Sequence, residues 1–192
     1  KEFDWVAHAE ASRNALRLLK EATGRELGLR FEIGRAFIVD TGYLVSKVLH
    51  TFEKFGQKYI VLDTNIGHLP RPNKYGFHQD YYPYMTDGVH QFALVQPGKN
   101  AKVCEEGVEV AVVGNSHYSK DWLGFMKVPE FNQEKLKASN VIILDAGGYG
   151  EAMSDPWPDS PRPASVLIED RKAELICRRE SLDDLFQQWR KP

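Results

Sequence analysis

The first segment of the chain has the hydrophobic repeat of an amphipathic helix. Between residues 4 and 23, apolar or small side chains recur at steps of three and four and therefore share one stripe. Those side chains are Trp5, Ala9, Ser12, Leu16 and Leu19. Gly24 follows as a suitable C-cap. We predict a helix that buries this stripe, followed by a strand over residues 29–33, an order typical of an α/β unit.

Beyond residue 38 the pattern changes to short runs of β-branched and aromatic residues, which favour strands. The predicted strands are residues 43–52, 58–64, 90–96, 108–113 and 140–145. Residues 164–169 and 173–178 flank a three-residue turn and predict a hairpin. Ser181 can cap a short C-terminal helix through Asp184. Because one helix-strand pair cannot bury its own faces, we expect the rest of the α/β unit in another chain or in a removed N-terminal segment. A start at Lys1, almost directly in a helix, is what a cut or processed product would show.

Composition narrows the range of partners. The 192 residues carry a formal net charge of −2, which gives no indication of a nucleic-acid or anionic-membrane partner. Cys104 and Cys177 lie far apart and in no C-x-x-C pattern, so neither a disulfide framework nor a zinc site is expected. Reduced thiols indicate a cytoplasmic protein. His68, His78 and His90 follow neither helical nor strand spacing for metal ligands, and we expect no metal site.

Three segments carry candidate chemistry. In Glu32-Ile33-Gly34-Arg35, a glycine lets the backbone approach an anion while a guanidinium clamps it. Arg71 stands between two prolines, which stiffen its backbone for a bidentate grip on a carboxylate or phosphate. Glycines on both sides of Tyr149 place one phenol on a backbone that a ligand can approach closely. Taken alone, each segment fits an ordinary turn or rigid surface loop better.

Five segments in order resemble the C-terminal part of the diaminopimelate and ornithine decarboxylase family, which are fold type III pyridoxal-phosphate enzymes. Residues 32–35 match the family's Glu-Pro-Gly-Arg, apart from Ile33. Residues 71–76 match Arg-Pro-x-x-Tyr-Gly, and residues 112–118 align with Val-Val-Gly-Pro-x-Cys-Glu. Residues 145–149 match Asp-x-Gly-Ala-Tyr, and residues 162–167 match Arg-Pro-x-x-Val-Leu. Each match is weak by itself, but their shared order over nearly the whole chain is specific.

The resemblance implies a fold and a set of contacts. Residues 1–38 would be the last helix and strand of a TIM-like α/β barrel. Residues 39–192 would be a mostly β C-terminal domain, an antiparallel sheet or β-sandwich-like barrel with a short C-terminal helix. The cofactor would be pyridoxal 5'-phosphate, contacted by Glu32, Gly34, Arg35 and Tyr149. The substrate would be contacted by Arg35, Arg71, Tyr75 and Tyr118.

Two departures from the family concern the substrate. The family's cysteine, which supplies a proton from the partner subunit, aligns with His117, and an imidazolium can also donate a proton near neutral pH. The neighbouring acid, which holds the substrate's distal amino group, aligns with Tyr118, and a phenol cannot offset a buried ammonium. We therefore expect a substrate with a bulkier, acylated or polar distal end, rather than diaminopimelate or ornithine in the usual pose. The alternative is a loop that has lost its role.

The resemblance also implies what this chain needs from elsewhere. The family's aldimine lysine and glycine-rich phosphate loop lie upstream of the segment matched here, and none of this chain's lysines has a matching context. An N-terminal barrel segment is therefore the expected partner, in a homodimer or a heteromer of such halves, with sites shared across the interface. The predicted function is decarboxylation of an amino acid that is diaminopimelate-like, ornithine-like or distally modified. The alternative is a non-catalytic regulator or binding module, like the antizyme inhibitors.

Overall fold

The computed structural model describes residues 4–32, 34–70, 91–157 and 160–187. The chain forms two compact units, Lys1–Phe37 and Ile38–Pro192. Within the described ranges, no helix has the length and apolar character needed to cross a membrane.

The first unit is built on helix α1, Trp5–Thr23. Its ends are capped by the chain itself: the Ala7 amide donates to the Asp4 carboxylate (2.9 Å), and Gly24 adopts the left-handed C-cap conformation (φ 66°). The predicted helix and its C-cap are thus present. No residue of α1 is fully buried, however: within the predicted stripe Ala9, Ser12 and Leu16 are half-buried, and the other two residues are exposed.

The strand predicted after this helix is absent from the described part of its segment. Residues 27–32 lie in neither helix nor strand. A strand needs a neighbour that accepts and donates its backbone hydrogen bonds, and none of the strand pairings in the described residues involves this segment. The chain continues into a short helix α2, Arg35–Ile38, and a 3₁₀ turn, Val39–Thr41.

The second unit contains a six-stranded sheet, which confirms the predicted mostly β fold. Its strands are β1 Leu44–Lys54, β2 Gln57–Leu62, β3 Phe92–Val95, β4 Val108–Val113, β5 Trp122–Val128 and β6 Asn140–Ile143. Their spatial order is β3-β6-β1-β2-β4-β5, and every pairing is antiparallel except β2 with β4. Helix α3, Gln133–Lys137, precedes β6.

The C-terminal elements form a separate pair. Strands β7, Ser165–Glu169, and β8, Lys172–Cys177, make the predicted hairpin as a two-stranded sheet of their own. Helix α4, Leu182–Phe186, follows. Ser181 and Asp184 form a reciprocal capping box at its start, so the predicted cap of this helix is also present.

Alternating side chains of the six strands fill one apolar core. The fully buried members include Val48, Ile60, Leu62, Val110, Val112, Leu123, Val128, Val141 and Ile143. The two edge strands approach each other where a Cβ on Gly124 of β5 would lie 3.0 Å from the Phe92 ring of β3. This contact leaves the sheet nearly closed, and the positive φ of Gly124 (146°) also favours glycine there.

We expect Gly124→Ala to lower the free energy of unfolding by about 1–3 kcal/mol, because the new methyl group meets Phe92 and the backbone is strained. Gly98→Ala is the matched control, since Gly98 also has a positive φ (70°) but has nothing within 4 Å of its Cβ position. Urea unfolding measures both variants. An equal loss of unfolding free energy in the two variants would mean that β3 and β5 do not meet at Gly124.

Candidate functional site

Three loops leave the same edge of the sheet. Strands β2 and β4 are parallel, and β6 shares their direction because both β2 and β6 run antiparallel to β1. The carboxyl ends of the three strands therefore point the same way, and the segments that begin at Asp63, Gly114 and Leu144 start from one edge. These segments contain five of the site residues that the sequence predicts, three of them among the residues that the structure describes. The edge is called the loop edge below.

The first of these segments is a buried loop, residues 64–70, in which every residue is buried. Asn65 orders the turn: its side-chain oxygen accepts from the Gly67 amide (2.8 Å), and its carbonyl accepts from the amides of His68 and Leu69. A Cβ on Gly67 would lie 1.8 Å from the Trp157 carbonyl oxygen, so only glycine fits. The chain therefore passes through packed surroundings up to the residue before Arg71.

A single carboxylate joins the buried loop to the segment between β4 and β5. Asp121 is 5% exposed. Its Oδ1 accepts from the Ile66 amide (3.0 Å), and its Oδ2 accepts from the amide (2.9 Å) and hydroxyl (2.5 Å) of Ser116. A Cβ on Gly114 would lie 2.3 Å from both carboxylate oxygens, which again requires glycine. Asp121 is thus enclosed by backbone from two loops.

His68 connects the buried loop to a third stretch of chain. Its Nδ1 lies 3.1 Å from the Thr64 hydroxyl and its Nε2 lies 3.1 Å from the Ser160 hydroxyl. Burial lowers the pKa of His68 below the usual 6.5, and the charge of Arg179 acts in the same direction. Both ring nitrogens face hydroxyl groups, an arrangement that makes His68 a structural link.

No metal-binding cluster of three or more His, Cys, Asp or Glu side chains occurs in the described part of the chain. The two other histidines considered as ligands in the sequence, His78 and His90, lie outside the described residues.

The segment between β4 and β5 presents His117 and Tyr118 differently. His117 is exposed. Tyr118 is half-buried, packs against the core, and meets the Trp157 ring edge-on at a centroid distance of 5.0 Å. The Tyr118 carbonyl accepts from the Asp121 amide (3.0 Å), which closes the loop on itself. A neutral aromatic pair, Tyr118 and Trp157, therefore occupies this part of the loop edge.

The third segment, after β6, is held by close backbone contact with the 3₁₀ turn. The Ala146 amide donates to the Gly42 carbonyl (2.8 Å), and the Gly147 amide donates to the Val39 carbonyl (3.1 Å). A Cβ on Gly147 would lie 1.9 Å from the Ile38 carbonyl oxygen, so no side chain fits.

Tyr149 follows this contact in a strained conformation. Its φ of 68° is left-handed, as are those of Asp145 and Gly148, and the side chain is 48% exposed. A bulky residue in this region costs about 1–3 kcal/mol, which the surrounding contacts must offset. The result is a half-exposed phenol on a tightly fixed turn.

The remaining predicted site residues are placed as follows. Glu32 is exposed in the irregular segment of the first unit, and Gly34 immediately precedes α2, where its carbonyl accepts from the Phe37 amide (3.1 Å). Arg35 is the first residue of α2. Arg71 and Tyr75 lie outside the described residues. The structure thus places His117, Tyr118 and Tyr149 on segments that leave the loop edge.

Sequence reasoning missed the residues that fix this edge. Asp121, His68 and Trp157 act through partners 55, 92 and 39 positions away in the chain, respectively. The Asn65 amide also donates to the Asn115 side-chain oxygen (3.2 Å). The only signal in the sequence is a polar residue at the end of an apolar run, which many surface turns share.

Burial of His68 predicts a pH dependence of stability. Its folded pKa is lower than its unfolded value of 6.5, so below about pH 6.5 the unfolded state binds more protons and the folded state loses stability as the pH falls further. His68→Gln should lose less stability than the wild type between about pH 7.5 and 5.5 in urea unfolding. His50→Gln, which changes an exposed imidazole, is the control and should follow the wild type. Equal losses of stability in all three proteins would contradict the lowered pKa of His68.

Comparison with known proteins identifies the fold and its relatives. No protein-family model matches the chain. Diaminopimelate decarboxylase of Zymomonas mobilis is 26% identical over 171 residues, which cover 88% of this chain and 36% of that protein. The chain spans little more than a third of the length of the curated relatives it matches.

The solved structures that resemble this chain include the same kind of enzyme. The diaminopimelate decarboxylase of Helicobacter pylori complexed with L-lysine superposes with a TM-score of 0.70 at 23% identity, covering 97% of this chain and 40% of that one. That of M. jannaschii in co-complex with L-lysine gives a TM-score of 0.67 at 25% identity, covering 96% and 38%. The predicted resemblance to the C-terminal part of a fold type III pyridoxal-phosphate decarboxylase is therefore confirmed.

Proposed function

We propose that this chain is the C-terminal portion of a pyridoxal-phosphate-dependent amino-acid decarboxylase, a carboxy-lyase whose active site is completed by an N-terminal barrel segment. Residues 1–38 are the end of that barrel and residues 39–192 its β domain. The observation that carries the proposal is the match to diaminopimelate decarboxylases over 88% of this chain and only 36% of the relative. The segments with His117, Tyr118 and Tyr149 leave one edge of the matched domain.

Four residues of this chain have chemistry that suits groups of the cofactor. The Arg35 guanidinium and the backbone at Gly34 suit a phosphate, and Glu32 and Tyr149 offer a carboxylate and a phenol for polar atoms of a pyridine ring. None of this chain's lysines has the sequence context of the family's aldimine lysine. The covalent lysine therefore belongs to the barrel segment. When bound, pyridoxal phosphate supplies the electron sink for loss of carbon dioxide.

The residues of this chain supply binding and a proton. We assign to Arg71 a bidentate grip on an anionic group of the substrate and to Tyr75 a contact with the substrate, the roles that the resemblance implies. His117, exposed on the loop edge, delivers the proton that replaces the lost carboxyl group, because an imidazolium donates near neutral pH. In a homodimer or a heteromer of such halves, His117 and Tyr118 face the partner's cofactor. The assembly is cytoplasmic.

Tyr118 sets the substrate class. Its half-buried ring rests on Trp157, so the distal end of the substrate meets a neutral aromatic surface. A free ammonium desolvated there would lack the carboxylate that offsets its burial. We infer an amino acid whose distal end is acylated or otherwise polar and uncharged.

A non-catalytic regulator is the second candidate. The loss of the family's cysteine and acid at His117 and Tyr118 is the observation that favours it. Such a protein would bind a related decarboxylase without releasing carbon dioxide.

Carbon dioxide release from a panel of amino acids tests the proposed activity. When this chain is assayed with its barrel segment and pyridoxal phosphate, Nε-acetyl-L-lysine should be turned over well above free diaminopimelate, ornithine and lysine. Robust turnover of any of these three free diamino acids would contradict the proposed substrate class. No turnover of any compound would favour the regulator.

Tyr118→Glu should reverse the preference. A carboxylate at this position would pair with the distal ammonium, and kcat/KM for lysine or diaminopimelate should rise about tenfold or more while that for Nε-acetyl-L-lysine falls. Tyr118→Gln is the matched control, because it has nearly the same shape as glutamate without the charge. A rise with both variants would mean that size rather than charge sets the preference.

A further inference from the structure

The outer face of four adjacent strands, β1, β2, β4 and β5, is apolar. Ile60, Val110 and Met126 are buried in the core on the inner side of the sheet, and Thr51 of β1 is buried opposite Ile60. Successive side chains of a strand point to opposite faces, so the alternate residues point outward. The outward-facing set, called the aromatic face below, consists of Phe52, Tyr59, Val61, Ala111, Val113, Trp122 and Phe125. A largely antiparallel sheet usually places polar residues on its outer face, so this apolar one indicates a contact surface.

The strand register joins these residues into two rows. Phe52 lies opposite Tyr59. Ala111 lies opposite Tyr59 on one side and Phe125 on the other. The second row, closer to the loop edge, consists of Val61, Val113 and Trp122. Because neighbouring strands are about 4.8 Å apart, the four strands make a face about 15 Å wide.

The aromatic rings make this face continuous. Phe52 and Tyr59 stack with a centroid distance of 4.7 Å, and Trp122 meets Phe125 edge-on at 4.9 Å. Ala111, between the two ring pairs, is 0% exposed although it points away from the core, whereas Phe125 keeps 45% of its surface exposed. Large side chains at both ends and a small one in the middle offset the curvature of the nearly closed sheet. The face can therefore meet a partner over its full width.

We propose that the aromatic face packs against the same face of a second copy of this chain. Aromatic residues are enriched in the centres of protein interfaces. Two sheets that meet face to face interdigitate their side chains with strands about 30° apart, a geometry that two equal faces satisfy. The inference goes beyond the proposed function and does not rest on it.

The charges beside the face favour a copy of the same chain as the partner. The next row, on the side away from the loop edge, consists of Lys54, Gln57, Glu109 and Lys127. This row carries both signs, and Lys58 and Glu53 form an ion pair close by (3.3 Å). A border of one sign would repel its own copy, whereas here the Glu109 carboxylate of one copy can pair with a lysine of the other. A strongly acidic or basic partner would instead require a border of a single opposite sign.

The size of the face suits the centre of such an interface. A stable dimer buries about 800 Å² per partner, with an apolar centre surrounded by a polar rim. The two apolar rows supply the centre and the charged row supplies part of the rim. Val61 and Val113 lie within two residues of Asp63 and Gly114, where the loop edge begins. The second copy therefore stands next to that edge.

Phe52→Lys and Phe125→Lys change opposite ends of the first row. In a symmetric interface each substitution occurs twice, so each buries two ammonium groups without carboxylate partners. The apolar stem of lysine still covers the neighbouring side chains, so the fold should be retained, as measured by circular dichroism and urea unfolding. Phe55→Lys is the matched control, because Phe55 lies at the β1–β2 turn beyond the face and is 97% exposed.

Sedimentation velocity over a dilution series of this chain with its barrel segment measures the association. At concentrations where the wild type is assembled, each face variant should halve the mass of the assembly and weaken its self-association by about tenfold or more. Phe55→Lys should behave as the wild type. Particles with a single copy of the chain in the wild type would overturn the proposal and leave the face to another partner. An unchanged mass in both face variants, or an equal loss in Phe55→Lys, would also overturn it.

Cross-linking of the wild type tests the same contact without any substitution. Copies labelled with ¹⁵N are mixed with unlabelled copies and treated with a zero-length carboxyl-to-amine reagent. Peptides that join Glu109 of one copy to Lys54 or Lys127 of the other should then contain one labelled and one unlabelled strand. Absence of such mixed peptides overturns the proposal. Failure to release carbon dioxide would defeat the proposed function alone, since neither measurement depends on activity.

Discussion

The shared direction of β2, β4 and β6 is the constraint on which the site depends. One parallel pairing in an otherwise antiparallel sheet brings the carboxyl ends of these strands to the same edge. Segments that are distant in sequence then start side by side. Without the parallel pairing of β2 with β4, the buried loop and the loop with His117 would leave opposite ends of the sheet.

Close contact at glycine positions fixes the loops once they meet. Gly67, Gly114 and Gly147 each face a carbonyl or carboxylate oxygen within 2.3 Å of where a Cβ would lie. Polar side chains then satisfy the buried backbone, with Asp121 accepting three hydrogen bonds and Asn65 ordering its own turn. The loop backbone is therefore closely packed at these three glycines, which suits a surface that must hold reacting groups at set distances.

Local patterns predicted the elements whose stability is local. Helix α1 with Gly24, the β7–β8 hairpin and the Ser181 cap all follow from periodicity and capping chemistry. Strand β5 was missed because Gly124 interrupts its pattern, and that glycine is explained only by Phe92 on a distant strand. The strand predicted over residues 29–33 lacks a partner in the described chain.

The residues of the candidate site also divide into those that sequence motifs predict and those that only the fold reveals. His117, Tyr118 and Tyr149 could be proposed from motifs in order along the chain, and their roles stay a prediction. Asp121, His68 and Trp157 could not, because each matters only through a contact that the fold creates. The glycines around Tyr149 were expected to let a ligand approach the backbone closely, whereas the backbone of the 3₁₀ turn already packs against Gly147.

The central claim is that this chain completes a pyridoxal-phosphate site with a barrel segment. The most direct test is the absorbance spectrum of the native protein, purified without cleavage, together with its intact mass. The account predicts an absorbance band near the edge of the visible range that shifts on borohydride reduction, with polypeptide beyond these 192 residues in the same material. A colourless protein of only this chain's mass would contradict it and would leave a lone β domain acting as a regulator.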